Sequence, residues 1–124
     1  MKKILVADDQ FIIAKSLSEL LTSAGYNVVL ASDGEMALEI AKKETPDLII
    51  IDIVMPKKSG IDAVREMRRI DKIKDTKVIF IATKGHNEDE KKASDIGGSS
   101  LVYKPFSPKR MLEEVRSVVG EIEN

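Results

Sequence analysis

Residues 48–52 read Leu48-Ile49-Ile50-Ile51-Asp52. Four consecutive apolar residues predict a strand, and the absence of polar alternation predicts one covered by helices on both faces, as in a parallel sheet. Val78–Ile81 repeats the pattern. Both runs therefore belong in the middle of a sheet, which leaves Asp52 at the carboxyl end of its strand.

Working outward, further short apolar runs occur at Ile4–Ala7, Val28–Ala31 and Leu101–Tyr103, and the run at Val78 extends to Ala82. Longer amphipathic stretches separate them. This alternation predicts an α/β fold with five strands and five helices. Helix starts are marked by Asp33-Gly34, by Ser59, by Asn87 with Glu90 three residues on, and by Ser107-Pro108; short polar side chains at these points cap exposed backbone N–H groups. Gly97-Gly98 is read as the end of the fourth helix. In the first helix Ile13, Leu17, Leu20, Leu21 and Ala24 share one stripe. Met111, Leu112, Val115, Val118 and Val119 do so in the last, which is expected to continue almost to Asn124.

A length of 124 residues, 43% hydrophobic, suits one domain spanning 1–124. The formal charge is −1, from 20 basic and 21 acidic side chains, so no global field draws the chain to nucleic acid or an anionic membrane. Direct nucleic-acid binding and membrane association are not expected. There is no cysteine and only one histidine, His86. Thiolate and histidine-rich metal sites are thereby excluded, and any metal must be held by oxygen. After Met1-Lys2-Lys3 only Ile4–Ala7 is apolar before Asp8, too short for a signal peptide or a membrane span, and a cytoplasmic location is expected. No repeat, heptad run, linker or effector domain is visible.

In an open parallel sheet, ligands bind beyond the carboxyl ends of the strands, where strand order reverses. Those ends carry Asp8-Asp9, Asp52, Thr83 and Lys104. Three carboxylates crowded together repel one another unless a cation joins them, and an oxygen-only donor set favours Mg²⁺. Taken singly, each of these residues is an ordinary cap or surface charge. Together they hold the parts for phosphoryl transfer: Asp52 as nucleophile, Asp8 and Asp9 on the metal, and the Thr83 hydroxyl and Lys104 ammonium on phosphoryl oxygens.

The segments Ile4-Leu5-Val6-Ala7-Asp8-Asp9, Asp52-Ile53-Val54-Met55-Pro56 with Ser59-Gly60, Ile81-Ala82-Thr83 and Lys104-Pro105-Phe106 resemble the receiver domains of two-component response regulators, of which CheY is the single-domain type. The resemblance covers the whole chain. It implies a doubly wound, flavodoxin-like sheet of order 2-1-3-4-5 and phosphorylation of Asp52 by a phosphohistidine on a sensor histidine kinase or phosphotransfer protein. The domain would catalyse its own Mg²⁺-dependent phosphorylation, with hydrolysis as the reset. The resemblance also implies a metal contact from the Val54 main-chain carbonyl and a cis bond between Lys104 and Pro105.

Two positions depart from the family pattern. The aromatic that relays the hydroxyl's movement would stand three residues before the lysine, where this chain has Leu101; Tyr103 shares its strand face and is a substitute candidate. Thr83, Leu101, Tyr103 and Pro105 are thus the switch and output set. Lys84 follows Thr83 where relatives have a small residue. Val54 and Gly85 occupy the positions that tune hydrolysis, and neither can position water, so slow unassisted dephosphorylation is expected.

Phe11, Ile12 and Ile13 are consecutive at the start of the first helix and at about 100° per residue cannot all face one core. The resemblance makes the exposed part a kinase-docking patch. It makes the fourth helix, fifth strand and fifth helix the output face for an unknown partner, with Lys91, Lys92, Leu101 and Tyr103 as candidates. A haloacid-dehalogenase-type phosphatase would need an acid at Val54, and a nucleotide-binding fold would need glycines near Ala7-Asp8-Asp9-Gln10. The remaining alternative is a receiver-fold interaction module that is not phosphorylated.

Overall fold

The computed structural model describes residues 1–120. Strands β1 (Lys3–Ala7), β2 (Asn27–Ala31), β3 (Leu48–Asp52), β4 (Lys77–Thr83) and β5 (Ser99–Lys104) alternate with helices α1 (Phe11–Ser23), α2 (Gly34–Glu44), α3 (Gly60–Met67), α4 (Asn87–Ser94) and α5 (Pro108–Val119). All strand pairings are parallel, in the order β2-β1-β3-β4-β5. Order reverses between β1 and β3, so the loops after these two strands open into one crevice, as expected.

Every residue of β3 is buried, because it lies at the centre of the sheet with helices over both faces. Alternate side chains go opposite ways: Ile49 and Ile51 pack with Leu5, Phe80, Val64 and Met67, whereas Leu48 and Ile50 pack with Ile4, Leu17, Leu21, Met111 and Val115. Burying each such aliphatic side chain contributes about 1.5–3 kcal/mol, and these two half-cores hold the sheet rigid beneath its rim. The stripes read in α1 and α5 face the second half-core, with Ala14 joining α1's.

Helix starts follow the expected punctuation in three cases. Asp33, Ser59 and Ser107 accept hydrogen bonds from the backbone N–H groups of Met36, Asp62 and Arg110 at 2.7, 3.1 and 3.0 Å. The fourth differs. His86, not Asn87, is the N-cap of α4, without a side-chain cap bond, and Glu90 instead accepts a hydrogen bond from the Tyr103 hydroxyl on β5. A tertiary partner for Glu90 thus replaces the local capping box. Helix α4 also ends at Ser94, before the glycine pair; Gly98, with φ +72°, forms the left-handed turn into β5. Helix α5 closes at Val119 with Gly120 after it, and the expected continuation toward Asn124 lies outside the described residues. Among the described residues no helix is long and apolar enough to cross a membrane.

Candidate functional site

Strand β1 delivers Asp8 to the crevice, its N–H continuing the ladder to the Ala31 carbonyl at 3.1 Å. The side chain is buried, with the residue 2% exposed. One carboxylate oxygen, Oδ1, accepts from the Gln10 N–H at 2.8 Å; the other, Oδ2, is buried without a hydrogen-bond donor. Burial pushes the Asp8 carboxyl above its ordinary value, a rise that the Gln10 N–H and the Lys104 charge oppose and the Asp52 and Asp9 charges reinforce. Asp9 is exposed at the crevice mouth.

Asp52, the last residue of β3, is 6% exposed. Its Oδ1 accepts from the Val54 N–H at 3.0 Å, which turns the following loop back over the rim and fixes the carboxylate's orientation. Its Oδ2 accepts from Lys104 Nζ at 2.5 Å. Asp8, Asp9 and Asp52 each present an oxygen within 4.8 Å of the others. An oxygen-only cluster whose buried member has an undonated oxygen fits a hard divalent cation such as Mg²⁺, which takes carboxylates with waters and phosphate oxygens.

The other expected residues converge on the same rim. Thr83 ends β4 and is in register with Lys104 at the end of β5. The Lys104–Pro105 peptide is cis. Val54 lies in the turn over the site and is 67% exposed. Leu101 and Tyr103 share one face of β5, packed against the half-core of Ile49 and Phe80. Lys84 follows Thr83, and its Nζ stands 5.7 Å from the centroid of the Tyr103 ring, within cation–π reach. Phe11 and Ile12 are 73% and 78% exposed, while Ile13 is half-buried. Ile12 and Ile13 border a groove of about 390 Å³ between α1 and the β5–α5 turn, lined also by Leu17, Leu20, Pro105 and Phe106 and reaching Lys104.

Sequence reasoning missed Gln10. Its Oε1 accepts from Lys104 Nζ at 2.9 Å, across 94 positions of chain. The only local signal was a glutamine where a helix start prefers a short capping side chain.

Residues 4–116 match the response regulator receiver domain family. The chain is 39% identical over 123 residues to a probable transcriptional regulator, ycf27, of Cyanophora paradoxa, covering 99% of this chain and 50% of that protein. To the transcriptional regulatory protein CpxR of Escherichia coli strain K12 it is 34% identical over 119 residues, covering 96% and 50% respectively. The chain thus spans about half the length of these curated relatives. Among solved structures, the chemotaxis response regulator CheY4 of Vibrio cholerae superposes with a TM-score of 0.89 at 33% identity, covering 95% of this chain and 98% of that one.

Proposed function

The chain belongs to the response regulator receiver domain family, and from that premise we propose that residues 1–124 form a phosphoacceptor switch of a two-component phosphorelay, with Asp52 as acceptor. The observation that carries this reading is the ammonium of Lys104 held 2.5 Å from a nearly buried Asp52 carboxylate, beside the undonated oxygen of Asp8.

A carboxylate oxygen of Asp52 attacks the phosphorus of a phosphohistidine on a sensor kinase or phosphotransfer protein. The new P–O bond forms as the P–N bond breaks, and the imidazole keeps the electron pair. Lys104 neutralises charge on the transferred group, and the Thr83 hydroxyl, on the neighbouring strand end, donates to a phosphoryl oxygen. Val54's N–H keeps the acceptor carboxylate aimed throughout. When bound, Mg²⁺ held by Asp8, Asp9, Asp52 and the Val54 carbonyl supplies further neutralisation of phosphoryl charge. Water later cleaves the acyl phosphate, unaided by the apolar Val54 or by Gly85.

Exposed Phe11 and Ile12, with the groove beside Lys104, supply the apolar surface on which the phosphohistidine-bearing partner docks. Output passes through Thr83, Leu101, Tyr103 and Pro105 to the face formed by α4, β5 and α5, where Lys91 and Lys92 lie exposed. Incubation with Mg²⁺ and acetyl phosphate, followed by intact-mass measurement, tests the acceptor. Wild type gains one phosphoryl group and Asp52→Asn gains none; an unchanged wild-type mass sinks the reading and leaves the interaction module.

A further inference from the structure

Gln10 is the N-cap residue of α1, yet its side chain makes no cap hydrogen bond. It reaches instead across the rim to accept from Lys104 Nζ at 2.9 Å, while its own N–H donates to Asp8 Oδ1 at 2.8 Å. One residue therefore orients both a crevice carboxylate and the crevice cation. Lys104 has a flexible four-carbon stem and three donor protons. One proton goes to Asp52 and one to Gln10, while Asp8 Oδ2 stands 3.8 Å from the nitrogen. The amide holds the ammonium from the solvent side. Because it is neutral, it does not compete electrostatically with Asp52 for the cation, as a fourth carboxylate on this rim would.

We infer that Gln10 is a positioning residue that retains Lys104 over Asp52 for phosphoryl transfer, an inference that rests on the phosphoacceptor reading above. Its amide keeps the lysine anchored when the Asp52 oxygen that binds it is converted to an acyl phosphate and the ammonium must shift to a phosphoryl oxygen. Shape does not account for this role, since the contact is a hydrogen bond from Lys104 accepted by an exposed residue.

Two readouts test it separately in wild type, Gln10→Leu, Gln10→Glu, Lys104→Ala and the Gln10→Leu/Lys104→Ala double variant. By NMR of lysine side-chain ammonium groups, Lys104 is held rigidly in wild type, is mobile in Gln10→Leu, and is held again in Gln10→Glu, which keeps an acceptor at the same length. With acetyl phosphate, Gln10→Leu is phosphorylated roughly tenfold more slowly, the scale of one lost hydrogen bond to a charged group. It has no further effect in the Lys104→Ala background. Equal Lys104 mobility in wild type and Gln10→Leu overturns the inference, as does an undiminished Gln10→Leu effect once Lys104 is gone. If wild type takes up no phosphoryl group, the phosphoacceptor reading fails and the transfer role of Gln10 fails with it, whereas the lysine resonances report separately whether Gln10 holds Lys104.

Discussion

Gly60 lies directly beneath Asp52, the proposed phosphoacceptor: a Cβ on it would stand 2.1 Å from the Asp52 carbonyl oxygen. Its N–H donates to the Ile53 carbonyl at 2.9 Å, so the start of α3 is clamped onto the end of β3. The acceptor's backbone is therefore fixed by a close approach that only glycine permits. Gly60→Ala forces β3 and α3 apart and is expected to lower stability by about 1–3 kcal/mol, the usual scale for overpacking. Denaturant unfolding measures this, and phosphorylation by acetyl phosphate should slow as Asp52 is displaced.

Asp8 carries a buried oxygen without a donor, and in the absence of divalent cation this burdens the fold at neutral pH. Asp8→Asn removes the buried charge and is expected to raise stability by roughly 1 kcal/mol, or about 4 °C in Tm. Saturating Mg²⁺ should raise the wild-type Tm and leave that of Asp8→Asn nearly unmoved. Scanning calorimetry with and without Mg²⁺ decides it; an Asn variant that responds as wild type does would exclude Asp8 as a ligand.

The exposed pair Phe11 and Ile12 contributes little to the core, so Phe11→Ser/Ile12→Ser should leave Tm within a degree or two of wild type, as surface substitutions do. Transfer from a phosphohistidine protein should fall about tenfold or more, in keeping with loss of an apolar anchor at an interface. Phosphorylation by acetyl phosphate, which needs no docking surface, should be unchanged. Equal losses with both donors would relocate the defect to the site itself.

On the output face, the hydrogen bond to Glu90 is the main cause that raises the Tyr103 phenol above its ordinary value of 10.0, with burial and the Glu90 charge adding to it. A folded-state value above the unfolded one means that the protonated phenol supports the fold below pH 10.0 and that this support is lost as pH rises through the raised value. A tyrosine ring-carbon NMR titration should show Tyr103 ionising later in wild type than in Glu90→Ala. Coincident curves would remove the tie between β5 and α4.

Val54 and Gly85 offer no polar side chain to an attacking water. The acyl phosphate at Asp52 is therefore expected to persist for minutes or longer in the isolated protein, followed by loss of the phosphoryl mass after donor removal. Decay within seconds would point to a water-positioning group elsewhere on the rim.

Much of this site is legible in the sequence alone. Asp8, Asp9, Asp52, Thr83 and Lys104 each sit at or just beyond a strand end, and strand ends are visible as the points where an apolar run stops. The cap of α4 was not legible, because Glu90 had two possible partners and the one it takes, Tyr103, is brought near only by the packing of α4 against β5. Lys84 was legible only as a long cation next to Thr83; that its ammonium stands over the Tyr103 ring depends on which neighbour the folded chain supplies.

The sequence by itself determined the order of elements, the buried central strands and the residue types on the rim, because apolar periodicity and strand termini are local properties of the chain. Tertiary structure decided which rim atoms meet. Asp52 and Lys104 belong to strands separated by β4, about 10 Å apart at ordinary strand spacing, and it is the length of the lysine stem that closes that gap. The same crossing brings Lys104 to Gln10, a meeting of residues 94 positions apart that no local pattern encodes.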